Sequence, residues 1–257
     1  MLAKVSIIQR PYEGPPDNYA EYPALTELLL FNEPSGSNIV SASKGDIVIA
    51  LASNGKVTNN GDGTLSLSAS ANILSAGTWT APNGKKLVAI GSCRPTSNNG
   101  RFEAGSTGGP PGNGTYAQHI NTANGQSHKI HNDGTSYSVT NSRANTVNEP
   151  VSYMLVADYG SVTGLNAYCI DDTINTTVTG MATNPVSLSG IPSPSAFSAA
   201  ATIAVATRPA MWSIWQFTTL PSLETLKAAL ELQHIYALHQ FNGAYPKRLP
   251  YVFKGLT

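Results

Sequence analysis

The chain has 257 residues, with 15 basic and 15 acidic side chains and only 12% charged residues. A formal net charge of zero excludes bulk electrostatic partnership with nucleic acid, whose phosphates reward a basic stripe. Sparse charge with 23 Gly fits a turn-rich β-protein, and about 200–250 residues is a common size for a single all-β domain.

Residues 1–23 read as an extended N-terminal arm. Pro11, Pro15, Pro16 and Pro23 interrupt any helix, and Tyr12, Tyr19 and Tyr22 lie between them as docking groups. Pro11 also arrives before a signal-peptide core could form, so the expectation is synthesis in the cytoplasm without a signal peptide. No run approaches the roughly 18 apolar residues of a membrane span.

A domain over residues 24–241 follows. Leu28–Phe31 is an apolar run closed by a dense turn signal at Asn32–Ser37, and Ile47–Leu51 is a second run. Asn59-Asn60-Gly61-Asp62-Gly63 marks a hairpin turn before the alternating Leu65-Ser66-Leu67-Ser68. Strands are expected around Trp79, over Leu87–Cys93, Arg101–Ala104, Tyr116–Ile120 and His128–His131, with a turn at Asn132-Asp133-Gly134. Residues 105–114 are a Gly- and Pro-rich loop. Turn signals recur every ~8–12 residues, the rhythm of a sandwich or barrel.

Val151–Ala157 and Leu165–Ile170 are alternating runs joined at Tyr159-Gly160-Ser161, a hairpin with one face in a core. Val186–Leu188 and Thr202–Ala206 are further strands. Met211–Phe217 follows, and its Trp212 and Trp215 fall on opposite faces, which predicts at most one of them in the core of a simple sheet. Cys93 and Cys169 sit in apolar surroundings and read as buried free thiols. The one convincing helix runs near residues 222–239, with Ser222 as N-cap and Glu224 in the first turn. It is apolar on more than one face, so it should be covered on both sides. Residues 242–257 read as a second extended arm carrying Lys247, Arg248, Tyr251 and Phe253.

Three stretches together resemble the concanavalin A-like, laminin-G-like jelly-roll superfamily. They are Leu28–Gly36 with Ser41–Gly45, the hairpin Val151–Asp172, and Met211–Ala237 with its closing helix. The resemblance implies an all-β, antiparallel jelly-roll β-sandwich with one C-terminal α-helix. Ala42-Ser43 and Asp172 depart from the superfamily's usual residues at their positions.

Catalytic patterns are absent from the sequence. Glycoside hydrolysis needs two carboxylates about 5–10 Å apart, and the one adjacent acidic pair, Asp171-Asp172, reads as part of a turn. Tyr116-Ala117-Gln118-His119 loosely matches the residue types of jelly-roll polysaccharide lyases, without their Arg and Tyr-Lys motifs. His128 and His131, three apart on a strand, make poor joint metal ligands. No cofactor is expected. A calcium site at Asp171, Asp172 and Asn175 is an option that the superfamily offers and the spacing does not indicate. For glycan binding the candidate residues are Trp79, Tyr116, His119 and Trp215, as aromatic platforms and polar partners.

The leading expectation is a non-enzymatic bacteriophage virion protein, a head-decoration or tail-appendage component. It would assemble through its arms with other virion proteins or copies of itself, and would bind surface glycan as a secondary property. The runner-up is a carbohydrate-binding module or carbohydrate-active enzyme of the same superfamily.

Overall fold

The computed structural model describes residues 23–31, 33–41, 44–45, 48–50, 57–61, 63–67, 73–79, 85–97, 101–105, 116–122, 125–132, 135–141, 147–162, 164–171, 179–180, 197–205 and 207–241. Residues 1–22 and 242–257 of the two arms, the loop at 106–114, Val186–Leu188, Asp172 and Asn175 lie outside the described residues.

Among them the strands are β1 (Leu25–Leu29), β2 (Ile39–Ser41), β3 (Val48–Ala50), β4 (Val57–Asn59), β5 (Leu65–Leu67), β6 (Ile73–Trp79), β7 (Lys86–Pro95) and β8 (Arg101–Gly105). They continue with β9 (Tyr116–Thr122), β10 (Gly125–Asn132), β11 (Thr135–Asn141), β12 (Val151–Ala157), β13 (Leu165–Asp171), β14 (Thr179–Gly180), β15 (Phe197–Val205) and β16 (Thr207–Phe217). One helix, α1 (Leu223–Phe241), closes the series. A six-stranded sheet has the order β1-β16-β7-β12-β13-β14, and an eight-stranded sheet the order β11-β10-β9-β8-β15-β6-β3-β2. All pairings are antiparallel, and β10 and β11 approach β12 and β13 across the sandwich. This is an antiparallel jelly-roll β-sandwich.

The hairpin at 151–171 forms as its alternation predicts, with Val151 opposite Asp171 and Ala157 opposite Leu165. Its turn is tied down by Lys86, which pairs with Asp158 and donates to the Tyr159 carbonyl at 2.6 Å. One expectation changes: all seven residues of β12 are buried, where one solvent-facing side was expected. The cause is that the six-stranded sheet is covered on both faces. On the outer face Val88, Ile90, Met154, Val156, Met211 and Trp215 pack as one cluster with Leu226, Ala229 and Leu230 of α1. On the inner face Tyr153 and Trp212 meet with ring centroids 5.9 Å apart.

Double coverage also overturns the expectation for the tryptophans. Trp212 and Trp215 do fall on opposite faces, yet both are fully buried, because each face of β16 has its own cover. Asp171 is likewise the last residue of a strand, where a turn position was expected.

Helix α1 begins as expected. Ser222 Oγ accepts from the Thr225 amide at 3.2 Å, and the Leu226 amide bonds the Ser222 carbonyl, which satisfies two first-turn donors. Its buried stripe is Leu226, Ala229, Leu230, Gln233, His234, Ala237, Gln240 and Phe241, while Leu223 is exposed. Gln240 anchors the far end by donating to the carbonyls of Leu30 at 3.2 Å and Gly63 at 3.4 Å. Gly63 (φ 74°) is needed there twice over: its backbone is left-handed, and a Cβ would lie 2.6 Å from Gln240 Nε2. The Leu28–Phe31 run leaves β1 at Leu29 because Phe31, fully buried, takes a left-handed backbone (φ 53°).

Cys93 and Cys169 are both buried and are not joined in a disulfide. They lie on β7 and β13 with β12 between them, too far apart across two ladder spacings for a disulfide.

Candidate functional site

Two polar constellations emerge from the fold. The first is enclosed between α1 and the six-stranded sheet. Trp215 Nε1 donates to Ser213 Oγ at 3.0 Å, and Ser213 Oγ donates to Gln233 Oε1 at 3.1 Å. Gln233 Nε2 reaches the Ile90 carbonyl at 3.1 Å and Ser92 Oγ at 3.3 Å. Ser92 Oγ meets Ser152 Oγ at 2.7 Å, and Ser152 Oγ meets His234 Nδ1 at 3.0 Å. A hydroxyl 3.0 Å from an imidazole has the spacing of a nucleophile and its base. Ser92, Ser152, Ser213, Gln233 and His234 are all fully buried, however, so no substrate reaches them. The chain of bonds serves instead to satisfy polar groups that small serines bring under the helix, which is what lets α1 sit so close to the sheet.

The second constellation lies on the eight-stranded sheet, where backbone register decides which residues share a face. Strand β9 pairs with β8 and β10 so that Tyr116 stands opposite Gly105 and His131, and Gln118 opposite Glu103 and Lys129. Arg101 stands opposite Ile120. Because side chains alternate along a strand, Arg101, Glu103, Tyr116, Gln118, Lys129 and His131 belong to one face of β8–β10. The other face carries Phe102, Ala104, Ala117, His119, His128 and Ile130.

The four expected glycan residues therefore separate. Trp79 pairs with Phe197, and β15 carries the same parity across to Glu103, so Trp79 shares the face of Tyr116. The two are three ladder steps apart across the sheet and four residues apart along it, roughly 20 Å in all. His119 falls on the opposite face from Tyr116 and cannot join it at one surface site. Trp215 belongs to the other sheet and is fully buried under α1, so its ring is not a platform for a sugar. The assembly residues Tyr12, Tyr19, Tyr22, Lys247, Arg248, Tyr251 and Phe253 lie outside the described residues.

The sequence alone does not mark Lys129, His131, Arg101 and Glu103 as companions of Tyr116, because their shared face depends on the register of β8–β10. The signal was present in Asn124-Gly125 and Asp133-Gly134, both turn dipeptides. Elsewhere, burial pushes the Tyr168 hydroxyl above its ordinary pKa, and the Lys227 ammonium sits 5.5 Å from its ring centroid. Burial likewise holds Lys44 below the usual lysine range. Among the described residues no group of three or more metal-ligating side chains occurs, and no helix is long and apolar enough to cross a membrane.

No family model matches the sequence, and no curated protein matches it. Among solved structures, one described as a receptor binding domain aligns with 89% of this chain and 54% of its own, at 10% identity and a TM-score of 0.50. The CBM40 of Ruminococcus gnavus IT-sialidase, solved with α2,3-sialyllactose, aligns with 57% of this chain and 82% of its own, at 12% identity and a TM-score of 0.33. A mutant of the alginate lyase Aly36B in complex with alginate trisaccharide aligns with 75% of this chain and 98% of its own, at 14% identity and a TM-score of 0.42. At such identities the likeness concerns fold. The first, which spans most of this chain, agrees with the β-sandwich described above.

Proposed function

We propose that the protein is a non-enzymatic glycan-binding β-sandwich whose binding surface is the polar face of β8–β11. The observation that carries this reading is the register that gathers Tyr116, Gln118, Lys129, His131, Arg101 and Glu103 on one face. A sugar needs an aromatic ring for its apolar face and a small set of hydrogen-bonding and charged groups for its hydroxyls. The face supplies all of them. Helix α1 closes the outer face of the six-stranded sheet, which leaves the eight-stranded sheet as the broad surface for a ligand. Two cationic residues, Arg101 and Lys129, against the single carboxylate of Glu103 favour an acidic sugar over a neutral one.

Reading the sequence ranked a virion assembly role first and glycan binding second. The assembly role drew on the arms; the described sheet favours the second reading. A glycan array probed with the full chain tests it. Expected are hits among uronate- or sialate-bearing glycans, weakened roughly tenfold or more by Tyr116→Ala and by Lys129→Ala, and unchanged by His119→Gln. A flat array, or binding indifferent to Tyr116→Ala, overturns the proposal. Release of shortened sugar chains on incubation would replace a binding module with a catalyst.

A further inference from the structure

Among the described residues the eight-stranded sheet ends on β11 and β2, and the six-stranded sheet on β1 and β14. Three of these edges are blunted. β2 and β14 are only three and two residues long. β1 breaks register between Leu25 and Glu27, and on its side away from β16 the Leu28 amide bonds the Lys44 carbonyl. The edge at β11 is different. Its seven residues, Thr135–Asn141, pair with β10 without a register shift, and among the described residues no strand pairs with it on the other side. Its sequence, TSYSVTN, holds neither charge nor proline, devices that, with bulges and short length, keep an edge from pairing with another chain. Such an edge offers a row of main-chain donors and acceptors to an added strand.

We propose that β11 is the interface for a second copy of this chain, which adds its own β11 antiparallel across a two-fold axis at Ser138. The strand is its own complement. In that register Ser138 stands opposite Ser138 of the second copy, Tyr137 opposite Val139, Ser136 opposite Thr140 and Thr135 opposite Asn141. A two-fold contact sets each strand against itself reversed, so a charge at its centre would meet its own like; β11 has none. An aromatic residue opposite a β-branched one, and Ser opposite Thr, are favourable cross-strand pairs. Face parity is kept too. Tyr137 and Val139 are register partners of Ile130 and His128, and Ser136 and Ser138 of His131 and Lys129, so each face of one sheet runs on as the same face of the other. The two β9 strands then lie five ladder spacings apart, about 24 Å. The interface does not depend on glycan binding. Where both hold, one continuous sheet presents two sites to a multivalent surface.

The test reads self-association of the full chain without sugar, by sedimentation velocity and amide hydrogen exchange over a concentration series reaching about 1 mM. Expected is a monomer–dimer equilibrium in which every second amide of β11, those directed away from β10, gains protection as the dimer fills, while the amides of β2 do not. Ser138→Lys sets two ammonium groups against each other at the axis, and Ser138→Glu sets two carboxylates. Each variant alone weakens the dimer at least about tenfold, and an equimolar mixture of the two restores it as a heterodimer. If either variant fails to fold, the wild-type exchange series decides alone. A monomer throughout, a dimer indifferent to Ser138→Lys, or no rescue between two folded variants overturns the proposal. So does protection of β11 that is the same at every concentration, which would mean that the chain itself covers this edge.

Discussion

Replacing Gln233 with Leu tests whether the enclosed polar chain holds α1 on the sheet. The side-chain amide makes three bonds: it accepts from Ser213 Oγ, and it donates to the Ile90 carbonyl and Ser92 Oγ. Leucine fills similar space but satisfies none of these. Ser92 keeps Ser152 and Ser213 keeps Trp215, so two of the three stranded groups retain a partner. At about 1 kcal/mol net for each lost bond, offset by roughly 1 kcal/mol from burying the apolar isostere, the loss is about 2 kcal/mol. With a urea m-value of about 2–3 kcal/mol/M, the unfolding midpoint falls by about 0.7–1 M. Urea titration followed by near-ultraviolet circular dichroism reports it, since Trp212 and Trp215 lie on the two faces of the same strand. Glu231→Ala on the exposed side of α1 serves as control and should stay within about 0.5 kcal/mol. A Gln233→Leu midpoint equal to wild type would show that the amide contributes no net stability and that packing alone fixes the helix.

Three further outcomes follow from particular contacts. Gly91→Ala places a Cβ 2.5 Å from Tyr153 Cζ and Oη; Tyr153 is fully buried and cannot swing away, so thermal unfolding should show a loss of about 1–3 kcal/mol. Tyr168 has its folded pKa raised above 10.0, so its share of stability is complete below about pH 10 and is lost as pH rises toward the folded value; Tyr168→Phe should therefore lessen the alkaline fall in stability. The register of the β9–β10 hairpin predicts that His119→Cys with His128→Cys oxidises to an intramolecular disulfide, whereas His119→Cys with Lys129→Cys does not, which mass spectrometry after mild oxidation resolves.

How much of this was readable from sequence depends on what each segment reports about its cover. Period-two alternation and the turn at Tyr159-Gly160 suffice for the β12–β13 hairpin, since both signals are local. The N-cap at Ser222 is equally local, and it forms. Burial of β12 on both faces is not local, because it requires knowing that α1 lands on Ser92, Ser152 and Ser213. Serine at these positions has the hydropathy of the solvent half of an alternating strand, yet Ser92 and Ser213 bond Gln233 and Ser152 bonds His234. Helix α1 misleads in the complementary way. Its Leu223 reads as core and is exposed, while Gln233, His234 and Gln240 read as surface and are buried. Hydropathy cannot detect a polar residue whose partner lies 82 residues away, as Ser152 does from His234.

The same reasoning explains why the candidate site falls on the eight-stranded sheet. Each face of the six-stranded sheet is closed, the outer by α1 and the inner by the opposing sheet, and its buried polar atoms are consumed in holding that closure. The proposed ligand face therefore falls on β8–β11, where the register of successive strands sets Arg, Glu, Gln, Lys, His and Tyr in rows. On such a sheet a residue's identity says little until the register is known. A shift of one position would set His119 against Lys129 and Tyr116 against Asn132, breaking the histidine pair and the tyrosine–histidine pair together. In the sequence, Asn124-Gly125 and Asp133-Gly134 are turn dipeptides with no ligand chemistry of their own, yet turn signals of this kind set the register on which the proposed face depends.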